Sequence, residues 1–364
     1  MGGAETHVDD LCEFLIKREC NVTVLAYQPI TMKGRGLSKE KGKNLEIRRF
    51  RWIGFNLFHK LENHPVLNFL YLTPYFLIRS FWYLIFNFRK FDVIHAQGLN
   101  ASFVAMILKK IFRIRAVMST QALYNFKKGS LFANVTKYTL NNLDEMIVES
   151  GESKQELIAI GVPEKKIKIF SHWVNQDKFK PTNKDEAKEK LGWGGKFVVL
   201  FVGRAIPQKG ARALLQAAEK VNEKINFAFI TAAGPVIEEI KIASQKKKNI
   251  IFVGQVNYAD LYKYYVAADI FCIPSQYEEG VARVMLEAVS CGIPIVGSNR
   301  GSIPSVLDES VSILVDPTAE NLAEKIEYLF SNQEKLKKMA DNCWPYAENH
   351  FGFKNAQVIL NSYE

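Results

Sequence analysis

The chain has 364 residues, a formal net charge of +10, and 48% apolar residues. At about 150 residues per domain that length implies two domains, and the apolar share suffices for packed cores, which excludes a disordered or fibrous chain. The five cysteines (Cys12, Cys20, Cys272, Cys291 and Cys343) are odd in number and form no CxxC pair, which argues against a disulfide framework or zinc site and for a reducing compartment.

In chain order, Met1 is followed at once by Gly2-Gly3-Ala4-Glu5, with no secretory pattern, so a cytoplasmic protein is expected. A helix signal starts at about Glu5, directly after the Gly-Gly turn. A doubly wound domain places a strand before such a turn. The expectation is therefore that a first strand with its turn, about a dozen residues, is missing.

Short β-branched runs then alternate with helical stretches. The first set of strands is expected at Asn21–Ala26, Phe91–His95, Ala116–Ser119, Met146–Glu149 and Ile167–Phe170. Between the first two lies Lys33–Lys60, where Arg35, Lys39, Lys41, Lys43, Arg48, Arg49 and Arg51 interleave with Trp52, Phe55 and Phe58. That mixture reads either as a solvated basic face or as a docking surface for anionic headgroups. Pro65–Phe88 is long enough to span a bilayer, but Arg79 near its centre makes spanning costly. A buried or membrane-surface helix is expected instead. Nucleic acid is not an expected partner, because no recognised nucleic-acid module accompanies the charge.

A polar stretch, Trp173–Gly195, separates the halves. It holds Pro181, Thr182, Asn183 and a helical, charge-rich run, Lys184–Lys190. The second set of strands is expected at Phe197–Val202, Asn226–Ile230, Ile250–Val253, Ile270–Ile273 and Pro294–Gly297, with helices such as Ala211–Val221 and Ala282–Ser290 between them. Strand-helix alternation implies α/β architecture with parallel sheets covered on both faces. The expected division is 1–173, 174–343, and an amphipathic helical tail over 344–364 that crosses back to the first domain. Ligands of such sheets bind beyond the carboxyl ends of the strands, which places the site in a cleft between the two doubly wound domains.

Two stretches carry chemistry. In Gly203-Arg204-Ala205-Ile206-Pro207-Gln208-Lys209-Gly210 two glycines bracket two cations between a strand and a helix. Arg204 as a fork and Lys209 as a point charge can hold diphosphate oxygens, or they are surface charges of an exposed turn. In Tyr277-Glu278-Glu279-Gly280-Val281-Ala282-Arg283 and on to Glu287, the carboxylates of Glu279 and Glu287 can accept paired hydrogen bonds from sugar and ribose hydroxyls. Glu287 stands eight positions after Glu279, read as two helical turns on one face. Gly280 and Val281 put backbone N–H groups near a helix start, suited to phosphate. The plainer reading is a solvated acidic turn followed by a helix-surface glutamate.

Together these stretches resemble the two-Rossmann-domain (GT-B) retaining glycosyltransferases of family 4, the group 1 glycosyltransferases. The resemblance covers almost the whole chain. It takes in Gly2-Gly3-Ala4-Glu5-Thr6-His7-Val8, Asp92-Val93-Ile94-His95-Ala96, Ile160-Gly161-Val162-Pro163, Gly203-Arg204 with Lys209-Gly210, Ala268-Asp269, Pro274-Ser275, Glu279 to Glu287, and Cys291-Gly292-Ile293-Pro294. It implies a hexosyltransferase that moves a sugar from a UDP- or GDP-linked donor to a lipid-linked or glycan acceptor, with an α-linkage and no metal cofactor. Arg204 and Lys209 would then bind the diphosphate and stabilise its departure, and Glu279 would contact the donor sugar. Glu287 would hold the ribose, and Gly3 would lend an N–H to the diphosphate. Gly2, Gly203, Gly280, Val281, His95 and Gln121 complete the expected substrate contacts, although His95 could equally pack at its strand end.

Three positions depart from the family pattern. Gln121 stands where a His is usual, Trp173 where a Gly is common, and Ser305 where a Glu is common. Gln can bond a hydroxyl but carries no proton charge, and Trp173 would put a ring near the cleft. These departures, with the missing strand, keep a catalytically degenerate nucleotide-sugar-binding protein as an alternative. A dinucleotide-dependent oxidoreductase needs a GxGxxG turn after a strand, which this sequence lacks.

Overall fold

The computed structural model describes residues 3–30, 36–53, 55–61, 64–120, 124–127, 129–278 and 280–364. The sequence-predicted site residues Gly2, Gln121 and Glu279 lie outside them. The chain forms two compact units, Ala4–Ser171 with Lys354–Glu364, and His172–Phe353.

The first unit runs α1 (Gly3–Lys17), β1 (Val22–Tyr27), β2 (Lys39–Gly42), β3 (Leu45–Phe50), α2 (Phe55–Leu61), α3 (Pro65–Ile85), β4 (Val93–Gln97), α4 (Gly98–Phe112), β5 (Arg115–Thr120), α5 (Leu131–Asn141), β6 (Glu145–Val148), α6 (Gly151–Ala159) and β7 (Ile167–Ile169). Its strands make two sheets, in the orders β1-β3-β2 and β4-β5-β6-β7. The second sheet is wholly parallel, as strand-helix alternation requires. In the first, β1 lies parallel to β3, and β2 closes an antiparallel hairpin on it. Part of the basic stretch is thus a hairpin, with Arg48 on Glu46 and Arg49 on Glu40. Leu84 of α3 packs with Val104 and Leu108 of α4, and Leu25 of β1 and Ile94 of β4 pack on the same cluster. No helix among the described residues is long and apolar enough to cross a membrane.

The second unit runs α7 (Lys184–Lys190), β8 (Phe197–Val202), α8 (Ala211–Ala217), β9 (Ile225–Ile230), α9 (Ile237–Lys246), β10 (Ile250–Gly254), α10 (Leu261–Ala267), β11 (Ile270–Ile273), α11 (Arg283–Ser290), β12 (Ile295–Ser298), α12 (Ile303–Val306), β13 (Ser312–Val315), α13 (Ala319–Ser331) and α14 (Gln333–Phe351). Its sheet has six parallel strands in the order β10-β9-β8-β11-β12-β13. Period-2 alternation sends Val198 and Leu200 into one core with Tyr265, Leu286 and Val289. It sends Val199 and Phe201 into the other, with Leu214, Ile326 and Met339. Both faces are covered, so the strands read as continuous apolar runs. The start of α7 is capped by Asn183, whose side chain accepts the Glu186 N–H.

The tail is not one returning helix, as the sequence suggested. Val174 N–H bonds the Phe351 carbonyl at 3.0 Å and Gln176 Nε2 bonds the Ala347 carbonyl at 2.8 Å, which fix the end of α14 within the second unit. Gly352 then turns extended, and Lys354–Glu364, carrying α15 (Gln357–Asn361), belongs to the first unit.

Candidate active site

In the second unit, the chain progresses from β8 toward β10 on one side and from β11 toward β13 on the other. The strand order therefore reverses between β8 and β11, and ligands of open α/β sheets bind outside the carboxyl ends of the strands at such a point. The two stretches singled out from sequence are the loops that leave these two strands. They are joined directly, since Gln276 N–H donates to the Gln208 carbonyl at 2.7 Å. Gly210 has φ +72°, and a Cβ there would lie 1.8 Å from the Pro274 carbonyl oxygen, so only glycine lets the loops meet. Gly234 serves the same loop from behind, where a Cβ would lie 2.2 Å from the Ala205 oxygen.

The cations sit on this junction. Arg204 is exposed. Lys209 is partly buried, with its Nζ 5.6 Å from the centre of the Tyr277 ring. Burial, with Arg204 as a second cation nearby, pushes the Lys209 ammonium down to about 8. A nearby anion would reverse that. The loop after β12 braces the same place. Arg300 donates to the Gln276 carbonyl at 2.7 Å and pairs with Asp316, and Gly301 N–H bonds the Glu278 carboxylate at 2.6 Å. Gly203 follows β8 directly, and Gly280 and Val281 lie just before the Ala282 N-cap of α11, with Gly280 exposed.

Glu287 corrects the helical-face argument. Since α11 starts at Arg283, only the latter half of the eight-residue interval is helical, and the spacing to Glu279 is not two turns. Glu287 is 2% exposed. Tyr258 Oη donates to its Oε1 at 3.1 Å and Tyr265 Oη to its Oε2 at 3.0 Å. Arg283 Nε is 3.9 Å away, and its other nitrogens reach the Trp173 carbonyl and Tyr258 Oη. Burial raises the Glu287 pKa against the lowering effect of Arg283. Trp173 is fully buried in the second unit rather than lining an open surface. Sequence reasoning missed Tyr258, Tyr265 and Arg283 as Glu287 partners. The tyrosines come from a different part of the chain, and no local pattern announces them.

In the first unit, His95 is already committed. Its Nδ1 meets Tyr363 Oη at 2.7 Å and its Nε2 meets Ser119 Oγ at 2.9 Å, which fix the ring at the end of its strand. Burial pushes it down to about 4, so it is neutral. Gly3 opens α1. At the end of β6, burial pushes Glu149 up to about 7, a group sequence reasoning did not single out.

Other matched positions are structural. Asp269 accepts the Val198 N–H at 2.8 Å and Lys188 Nζ at 2.6 Å, and Gly292 takes φ +81° in the turn from α11 to β12.

The model of Glycosyltransferase Family 4 matches residues 1–178, and that of Glycosyl transferases group 1 matches residues 183–343. The chain belongs to the group 1 glycosyltransferases. Spore coat protein SA of Bacillus subtilis (strain 168) is 26% identical to this glycosyltransferase over 76% of the chain and 78% of its own length. Sucrose-phosphate synthase from Thermosynechococcus elongatus shares the fold with TM-score 0.79, at 22% identity over 100% of this chain and 93% of that one. Anabaena HepE, solved with UDP and glucose, does so with TM-score 0.71, at 19% identity over 99% and 95%. The fold is accordingly GT-B, with two Rossmann-like domains.

Proposed function

We propose that this glycosyltransferase takes its sugar from a UDP- or GDP-linked donor and transfers it with retention to a lipid-linked or glycan acceptor, forming an α-glycosidic bond. The observation that carries the reading is the junction of the β8 and β11 loops at the switch point, with Arg204 and Lys209 on it. A departing nucleoside diphosphate gathers negative charge as the glycosidic bond breaks. Two protein cations held at that point neutralise it without a resident metal. Arg204 supplies a fork for two oxygens, and Lys209, already short of solvent, adds a point charge against the diphosphate. Glu287 is held by two tyrosine hydroxyls, and its remaining lone pairs suit ribose hydroxyls. Glu279 is assigned the donor sugar hydroxyls.

The test is transfer by the full chain from a panel of UDP- and GDP-α-sugars to lipid-linked and glycan acceptors, with product anomer read by NMR. An α-product supports the reading and a β-product overturns retention. Donor binding without transfer or hydrolysis in any combination would support the degenerate binding protein instead.

A further inference from the structure

The first unit carries an apolar face that sugar transfer does not use. α3 buries Thr73, Ser80 and Leu84 on one side. On the other it exposes Leu67, Leu70, Pro74, Ile78, Trp82 and Ile85, a three-and-four spacing that makes one stripe down the helix. Leu70 is 59% exposed, Ile78 54% and Trp82 56%. At 1.5 Å per residue the stripe is about 27 Å long.

The stripe continues at both ends. Phe86, 77% exposed, stacks on Trp82 with centroids 6.4 Å apart. Exposed Ile111 of α4 stands beside Phe112, whose ring packs 5.8 Å from Phe81 and 5.5 Å from Phe88. At the other end Ile53 is exposed, its carbonyl bonded by Tyr71 Oη, and Trp52 stacks on Tyr75 at 4.2 Å. Trp and Tyr with an apolar body and a polar tip are the side chains that settle at a membrane-water boundary.

The surrounding charge is mostly positive. Between Ile47 and Phe91 there are seven arginines and lysines and one acid, Glu62. Arg51, Lys60, Arg79, Arg89 and Lys90 among them are exposed. At the end of α4, Lys110 and Arg113 line a cavity of about 560 Å³ with Lys109, Arg115 and Lys166, and Asp144 is its acid. A second copy docked through α3 would bring these cations against their own kind, and like charges across an interface are unfavourable. An anionic bilayer complements both the apolar stripe and its cationic margin.

We propose that this face docks on an anionic membrane surface, with α3 lying in the headgroup plane, Leu70, Ile78 and Trp82 in the acyl boundary, and Arg79, Arg89 and Lys90 on lipid phosphates. The docking deepens the reading of a lipid-linked acceptor, but its test uses no transfer. In flotation assays the full chain rises with vesicles of equal parts phosphatidylglycerol and phosphatidylcholine, and not with phosphatidylcholine alone. Replacing Arg89 and Lys90 by Gln lowers partitioning about fivefold for each charge lost. Ile78→Gln with Trp82→Gln lowers it about tenfold or more. These side chains are exposed, so melting temperatures stay at the wild-type value. Stabilisation by nucleotide sugars is also unchanged, because neither pair lies in the second unit. The proposal is overturned if the wild type stays soluble beside phosphatidylglycerol vesicles, if all variants float equally, or if Ile78→Gln merely dissociates a dimer that never floats. Flotation without any nucleotide-sugar stabilisation would leave the docking standing and remove the donor reading.

Discussion

Gly210→Ala probes the junction on which the proposed donor site is built. Two costs follow from the geometry. The residue would keep φ +72°, a left-handed placement that costs an L-residue about 1–2 kcal/mol. The new Cβ would start 1.8 Å from the Pro274 oxygen and must reach at least 3.0 Å, a displacement of 3.0 − 1.8 = 1.2 Å in backbone. Overpacking of that kind costs about 1–3 kcal/mol, for a sum of about 2–5 kcal/mol. Gly192→Ala is the control in the same unit, with φ +69° and nothing within 4 Å, so it carries the left-handed cost of about 1–2 kcal/mol alone. Parting the loops also moves Lys209, and a misplacement near 1 Å can cost about 100-fold in a positioned reaction. Urea unfolding and calorimetric titration with UDP-sugars read the two effects. The reasoning is refuted if Gly210→Ala matches Gly192→Ala in both unfolding midpoint and donor affinity.

Lys209 sets an alkaline limb. The free enzyme loses the ammonium as pH rises through about 8, so kcat/KM for the donor falls there, and Lys209→Arg shifts the limb upward; a flat profile to pH 10 in the wild type would remove Lys209 from the diphosphate. Tyr265→Phe deletes a hydroxyl that donates to the buried Glu287 carboxylate, with an expected cost of about 1–3 kcal/mol by urea unfolding; an unchanged midpoint would show that Glu287 does not depend on it. His95 and His172 both have folded values pushed down to about 4 by burial, from 6.5. The folded state then binds fewer protons than the unfolded one between those values, so their stabilisation is complete above pH 6.5 and is lost as pH falls toward 4. A His95→Gln variant should show a weaker acid dependence and unaltered donor affinity, and loss of donor affinity would restore His95 as a sugar contact.

Much of the fold is legible because buried parallel strands leave dense apolar runs. Phe197–Val202 and Ile270–Ile273 have the same limits in sequence and structure. What escapes is polar or short. β2 is Lys-Glu-Lys-Gly and β3 carries Glu46, Arg48 and Arg49, so charge conceals the hairpin. β13 has four residues at the sheet edge. In the candidate site, the loop that carries Arg204, Lys209 and their glycines is readable because its turn is local. The company of Glu287 is not, because Tyr258 and Tyr265 reach it only after α10, β11 and α11 have packed. Trp173 reads from sequence as an intrusion near a ligand, yet it is buried core. The exposed stripe of α3 was half legible: its length and apolar content were plain, but which side faces solvent depends on how α4 packs.

The central claim is that Arg204 and Lys209 at the β8–β11 switch point hold a nucleotide-sugar diphosphate. It is tested most directly by ligand-induced stabilisation of the full chain with UDP- and GDP-sugars, comparing wild type with the Arg204→Ala, Lys209→Ala double variant. At a hundredfold excess over Kd a bound donor stabilises the wild type by about 2.7 kcal/mol, and the double variant should show almost none of this. Equal stabilisation of both proteins by the same sugar nucleotide would contradict the account.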